Sequence, residues 1–288
     1  MNEFVRQVGS IERADNGLGE SAHRFGTGLI GVLGRPRGGA SNTAARTAVI
    51  LLNAGLMHRV GPFRGYVQLA RALNACGFAV LRFDQSGLGD SPISPLASAE
   101  RRLGEVQAAM ALLQAETGAE QFVLGGICSG ADDAFHLAVG DERVVGTVLL
   151  DGLAHRTAGF WLRHLWPRLL DPRRIWTALR HRGAHQPGLD DYRDFPPRAL
   201  AARQMAQLVA RDVRLLFIYT GGAYRYFNHR GQLAACLGKA ARARQVSLQY
   251  WRDCDHTFYL RRDRLRLQQA VTAWMQAQFV EDRAGTKP

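Results

Sequence analysis

The chain has 288 residues, long enough for one sizeable domain, and its 47% apolar and 22% charged content excludes a largely disordered protein. No apolar run, including the long one at Val144–Leu150, approaches the roughly 20 residues needed to cross a bilayer. The N-terminus also lacks the apolar stretch of a secretory signal. We therefore expect a cytoplasmic protein.

The formal net charge of +12 raises the question of a nucleic-acid partner. Only Lys239 and Lys287 are lysines, and the arginines are spread over the whole length instead of forming a stripe. No nucleic-acid-binding motif accompanies them. We therefore expect no nucleic-acid partner.

The four cysteines show no C-x-x-C or cysteine–histidine ligand spacing. They are Cys76, Cys128, Cys236 and Cys254. We expect neither a disulfide framework nor a metal site, and the pattern fits a reducing compartment. No motif for a cofactor is present, so none is expected.

After a polar lead-in over residues 1–24, short apolar runs alternate with amphipathic segments. The predicted strands cover residues 29–34, 48–52, 78–83, 121–124, 144–150, 213–219 and 246–251. The predicted helices cover residues 66–75, 100–116, 132–139, 233–243 and 262–279. This alternation predicts a single α/β domain over 1–288 with a doubly wound, mostly parallel central sheet.

Residues 153–200 differ from the rest of the chain, because tryptophans and arginines are interleaved there and prolines interrupt the segment. We interpret it as an inserted helical cap over the sheet edge. The cap could bind an anionic or lipidic acyl donor and contact a membrane surface, or it could be a solvated helix face whose aromatic residues pack on the core.

The stretch Gly126-Ile127-Cys128-Ser129-Gly130 lies between a predicted strand and a predicted helix. Flanking glycines allow strand and helix to pass closely around a residue whose backbone is strained. The positive end of the helix then faces the cysteine sulfur. This geometry predicts a nucleophile elbow, and the alternative is a buried cysteine packed as a small hydrophobic residue.

Three features fall at the carboxyl ends of predicted strands, where sites form in parallel sheets. They are the loop Asn53–Leu56, Cys128 and Asp151. Their coincidence predicts that the site lies at this edge.

The elbow at Cys128, the segment Arg82–Ser91 and the loop Asp255–Phe258 together resemble the α/β-hydrolase fold superfamily, over residues of about 27–280. More narrowly, the segment 53–61 and the loop Asp255–Phe258 resemble hydrolases associated with bacterial exosortase systems, relatives of the serine-aminopeptidase-like branch. The G-x-C-x-G elbow is also similar to that of polyhydroxyalkanoate synthases, which are acyltransferases.

The resemblance implies that Cys128 is a nucleophile and that His256 exchanges protons with it and with the leaving group. The superfamily's acid usually follows the strand that ends here at Tyr219, yet no Asp or Glu lies between Asp212 and Asp253. Asp151 is the alternative acid, and a cysteine–histidine dyad without an acid remains open, because a thiol ionises more easily than a hydroxyl.

The resemblance further implies an oxyanion hole made by the backbone N–H groups of Leu56 and Ser129. Asn53, Gly55 and His58 are the candidate pocket residues.

The predicted function is cleavage of a small-molecule ester or thioester through an acyl-cysteine intermediate. Two alternatives stay open: acyl transfer to a hydroxyl acceptor, and a non-catalytic binding or scaffold protein with the same fold. The sequence does not indicate the oligomeric state.

Overall fold

The computed structural model describes residues 19–36, 46–169, 193 and 195–280. Within this part of the chain, eight strands form one sheet in the order β1-β2-β4-β3-β5-β6-β7-β8. The strands are β1 Glu20–Phe25, β2 Leu29–Gly34, β3 Thr47–Leu51, β4 Ala79–Phe83, β5 Gln121–Ile127, β6 Val144–Leu150, β7 Arg214–Thr220 and β8 Val246–Trp251. Only the pairings β1–β2 and β2–β4 are antiparallel. The doubly wound, mostly parallel sheet predicted from the sequence is confirmed.

Helices cover both faces of the sheet, as a parallel sheet requires. The helices are α1 Gly65–Ala75, α2 Ser98–Thr117, α3 Ser129–Gly140, α4 Ala158–Leu169, α5 Arg198–Ala210, α6 Gln232–Leu237 and α7 Arg261–Phe279. Helices α1 and α7 pack on one face, and α2, α3, α5 and α6 contribute to the core on the other. Strands β3 and β4 are buried at every position, which explains their continuous apolar sequence.

Two predicted elements differ in the structure. The lead-in contains strand β1, whose buried and accessible residues alternate because it is an antiparallel edge strand, so its sequence is polar. The helix predicted over residues 233–243 ends at Leu237, since Gly238 has a φ of 78° and breaks it; a 3₁₀ turn, Lys239–Arg242, follows.

The predicted cap is described in part. Helix α4 lies within it, and α5 begins at its end and buries Ala201, Met205 and Leu208 against the sheet. The remaining cap residues, 170–192 and 194, lie outside the described residues. None of the helices described here is both long and apolar enough to traverse a lipid bilayer.

Candidate active site

Cys128 lies between β5 and α3, at a sharp turn of the chain. Its backbone has φ 58° and ψ −121°, a region that non-glycine residues rarely adopt. The Cys128 N–H donates to Leu150 O (2.9 Å), and the amides of Ala131 and Asp132 donate to Cys128 O (3.0 and 3.1 Å). The side chain is half-buried. Strained backbone at such a position is typical of functional sites, and it costs on the order of 1–3 kcal/mol.

Two glycines make this turn possible. A Cβ on Gly126 would overlap the Gly130 backbone and lie 2.8 Å from Ala131 N, and a Cβ on Gly130 would overlap Asn53 O. Strand β5, helix α3 and the loop after β3 therefore approach each other more closely than any larger residue allows. The spacing G-x-C-x-G follows directly from this packing.

Asp151 and His256, which are 105 residues apart in sequence, are joined by a hydrogen bond. His256 Nδ1 lies 2.8 Å from Asp151 Oδ2. Asp151 follows β6, its side chain is fully buried, and its φ is 48°. A fully buried carboxylate needs partners for its oxygens, and this one has several.

Thr220, the last residue of β7, supplies two of these partners. Its N–H donates to Asp151 Oδ1 and its Oγ1 donates to Oδ2, both at 2.6 Å. Thr220 therefore occupies the strand end where the superfamily's acid was expected, and it binds the carboxylate of Asp151 from the neighbouring strand. No function was predicted for Thr220 from the sequence.

His256 also contacts Cys128. Burial lowers the pKa of His256, but hydrogen bonds to Asp151 and to the Cys128 side chain outweigh burial and raise that pKa to about 10. These contacts therefore make the imidazole of His256 a stronger base than a free histidine. The three side chains form a continuous chain from the buried carboxylate to the half-buried thiol.

Cys254, two residues before His256, is buried instead. Burial, reinforced by nearby acidic groups, raises the pKa of its thiol to about 12. Cys254 therefore stays a neutral thiol, which fits a packing role.

The loop after β3 reaches the elbow. Gly55, with φ 57°, donates its N–H to Ser129 Oγ at 2.8 Å. Ser129 is the first residue of α3, and Leu56 is the most exposed large apolar residue of the loop, at 90%. The loop residues and the residue after Cys128 are thus neighbours, and the predicted oxyanion hole of Leu56 and Ser129 stays a prediction.

Asn53 and His58 belong to a polar cluster around Asp84. Asn53 is buried; its Nδ2 donates to Met57 O (2.7 Å) and Asp84 Oδ1 (3.2 Å). His58 Nε2 lies 3.4 Å from a carboxylate oxygen of both Asp84 and Asp90. These contacts brace the loop after β3 against the loop after β4.

The His58, Asp84 and Asp90 side chains converge as a metal site would, with their ligand atoms within 4.8 Å of one another. The Arg59 guanidinium, however, binds both carboxylates. A cationic side chain of the protein therefore takes the position that a metal ion would need.

Arg193, in the segment between α4 and α5, reaches beneath the elbow. It binds both carboxylate oxygens of Asp132 (2.8 Å each) and donates to Asp151 O (3.1 Å) and Cys128 O (3.4 Å). No local pattern distinguishes Arg193 from the other arginines of the predicted cap, so sequence reasoning missed it.

A cavity of about 290 Å³ lies beside the turn after β7. Its lining residues are Arg156, Phe160, Trp161, His164, Tyr224 and Arg225. The same turn packs against the loop after β8 that carries His256, since a Cβ on Gly222 would lie 2.6 Å from His256 Cβ. Cys128, Asp151 and His256 are not among the residues that line the cavity.

Comparison with known structures agrees with this geometry. An esterase from Pyrococcus furiosus superposes with a TM-score of 0.62 at 12% identity, covering 91% of this chain and 92% of the esterase. The esterase domain of a Rhodothermus marinus protein gives a TM-score of 0.53 at 18% identity, covering 90% and 97%. An α/β serine hydrolase without a lid from Xanthomonas campestris gives 0.52 at 15% identity, covering 93% and 96%. At these identities the likeness concerns the fold.

No curated protein sequence matches the chain significantly. The profile of the family described as alpha/beta hydrolase fold, in contrast, matches residues 47–253, which is most of the chain. Together with the strand order and the turn at Cys128, this match establishes that the chain belongs to the α/β-hydrolase fold family.

Proposed function

We propose that the protein is a hydrolase that cleaves a small-molecule ester or thioester through an acyl-Cys128 intermediate. The observation that carries the proposal is the linked set Asp151–His256–Cys128 at the elbow. The structural neighbours include proteins named esterases and serine hydrolases, which supports ester cleavage as the reaction class. Cysteine in place of serine distinguishes this chain from the neighbours named serine hydrolases.

The first half of the reaction moves the proton of the Cys128 thiol. His256, held at Nδ1 by Asp151, accepts that proton as the sulfur approaches the substrate. The sulfur attacks the acyl carbon and forms a C–S bond. The bond from that carbon to the leaving oxygen or sulfur breaks, and His256 gives its proton to the leaving group.

The second half regenerates the enzyme. Neutral His256 accepts a proton from water and the hydroxyl oxygen attacks the acyl carbon. The C–S bond then breaks, and His256 returns the proton to the sulfur, which releases the acid and restores the thiol. Asp151 holds the Nδ1–H of His256 throughout, so that Nε2 faces the reacting atoms. The amides of Ser129 and Leu56 are the proposed donors to the oxyanion in both halves.

The test is turnover of short- and long-chain acyl thioesters and p-nitrophenyl esters. Cys128→Ala and His256→Ala should abolish turnover, and mass spectrometry should detect an acyl adduct on Cys128 of the native enzyme. Added alcohol acceptors distinguish hydrolysis from acyl transfer, because a transferase would form the new ester in preference to the free acid. A Cys128 that reacts no faster with iodoacetamide than a free thiol would overturn the proposal and favour a scaffold.

A further inference from the structure

Arg193 makes contacts that no other described arginine combines. Its side chain is 2% exposed, and its guanidinium lies over the rings of both Phe195 and Tyr226, 4.7 and 5.0 Å from their centroids. Burial lowers the pKa of Arg193, but Asp132 outweighs burial and raises it, so the side chain is charged. The ion pair with Asp132, on the first turn of α3, is bidentate.

The remaining contacts of Arg193 join the two backbones that carry the proposed nucleophile and acid. One nitrogen, Nη2, donates to both Cys128 O and Asp151 O. Tyr226, which stacks on the same guanidinium, also donates its hydroxyl to Asp151 O at 2.8 Å. Cys128 and Asp151 both have positive φ, at 58° and 48°. Each therefore has a strained backbone conformation, which persists only where neighbouring groups hold it.

We propose that Arg193 is a positioning residue that fixes the backbone of Cys128 relative to that of Asp151 and so keeps the thiol, the imidazole and the carboxylate in line. The proposal rests on the proposed function. It also gives the inserted segment between β6 and α5 a defined task, because that segment supplies the guanidinium.

Stabilisation of the fold alone does not account for this arrangement. A buried ion pair costs desolvation that its own attraction only partly offsets, and apolar residues of similar volume often serve stability as well. A guanidinium is the side chain that satisfies two carboxylate oxygens and two carbonyls at once through a planar fork. A lysine could keep the charge near Asp132 but not this set of contacts.

The experiment compares Arg193→Lys with the double variant Arg193→Met/Asp132→Leu. The double variant leaves no unpaired buried charge, so it is expected to fold even if single variants do not. The matched control is Arg211→Met. Arg211 also donates to backbone carbonyls, four of them, but these lie at the far end of α3 and the start of β6, namely Ala138 O, Val139 O, Asp141 O and Val144 O.

The measurements are kcat and KM for the best ester or thioester, the rate of iodoacetamide labelling at pH 7, and thermal unfolding. Both Arg193 variants should lose about tenfold or more in kcat with little change in KM, and Cys128 should label more slowly. Arg193→Lys should unfold close to the native protein yet stay slow. Arg211→Met should lose stability and keep its kcat.

The proposal would be overturned if a folded Arg193→Lys or double variant kept the native kcat. It would also be overturned if kcat fell in proportion to thermal stability in the Arg193 variants and in Arg211→Met alike. If the native protein itself has an inert Cys128, the proposed function fails. Fast labelling of Cys128 in the native protein and equally fast labelling in the Arg193 variants overturns the positioning role alone.

Discussion

The Asp151→Asn substitution tests the acid most directly. Asp151 accepts three hydrogen bonds, one from His256 and two from Thr220, at 2.6–2.8 Å. Asparagine has nearly the same shape, and it tolerates the positive φ of this position. Its amide must nevertheless turn two N–H groups toward Thr220 Oγ1 and His256 Nδ1, where the carboxylate accepted.

The imidazole has two ways to respond. It can keep the proton on Nδ1 and lose its partner, or it can move that proton to Nε2 and lose the acceptor that the second half of the reaction needs. A hydrogen bond to a charged group contributes about 1.5–3 kcal/mol, which corresponds to a roughly 10- to 150-fold lower kcat. Loss of the carboxylate also lowers the pKa of His256, because Asp151 is one of the groups that raise it.

The assay is kcat and KM with the best acyl substrate, together with circular dichroism to verify the fold. Asp253→Asn is the matched control, since Asp253 lies in the same loop as His256 but pairs on the surface with Arg266. We expect the control to match the native enzyme. Equal activity in Asp151→Asn and the native enzyme would remove the acid from the mechanism and leave a cysteine–histidine dyad.

Three further substitutions or conditions test other parts of the site. Cys128→Ser should lower kcat about 100-fold or more, because a hydroxyl gives up its proton far less readily than a thiol; an undiminished rate in the same esterase assay would argue against chemistry that depends on the cysteine. Gly222→Ala should displace His256 and lower kcat, since the new Cβ would lie 2.6 Å from His256 Cβ. The control is Gly104→Ala, whose Cβ meets nothing within 4 Å; it should leave kcat unchanged and stabilise α2 by about 0.5–1 kcal/mol. The pKa of His256 is raised in the folded protein from 6.5 to about 10, so its contribution to the free energy of unfolding is complete below pH 6.5 and lost as the pH rises to about 10. Urea unfolding at pH 6, 8 and 10 should show this decline in the native protein and a smaller one in His256→Asn, and equal slopes would contradict the assigned pKa.

The inner strands of the sheet, such as β3 and β4, were predictable because they are buried on both faces. An apolar run that ends in a turn can be recognised as a strand without knowing which strands lie beside it. Strand β6 was accordingly predicted at its observed bounds. Strand β1 was missed for the opposite reason, because an edge strand with one accessible face has a polar sequence. The φ of 78° at Gly238, which ends α6, is also a property of the folded backbone that the surrounding apolar periodicity conceals.

The residues of the candidate site likewise fall into those with a local sequence pattern and those without one. The elbow has a local spacing, since Gly126 and Gly130 are required by contacts within one strand–turn–helix unit and the neighbouring loop. The side chains that hold the site together have no such spacing. Arg193 reaches Asp132 across 61 residues, and only the tertiary structure distinguishes it from the arginines on the surface.

The proposed acid, Asp151, illustrates how a departure from the family pattern can be offset. Under that proposal the carboxylate comes from the end of β6, and the end of β7 faces the histidine without a charge. Thr220 fills that end with an N–H and a hydroxyl, both donors, and therefore holds the relocated carboxylate by the two bonds that a neighbouring strand can supply. An acid at position 220 would instead set two carboxylates side by side, and one of them would have to be protonated. Thr220 and Asp151 therefore act together. Thr220→Val removes the hydroxyl donor to Asp151 but keeps the size of the side chain, so we expect it to lower kcat while β7 stays intact.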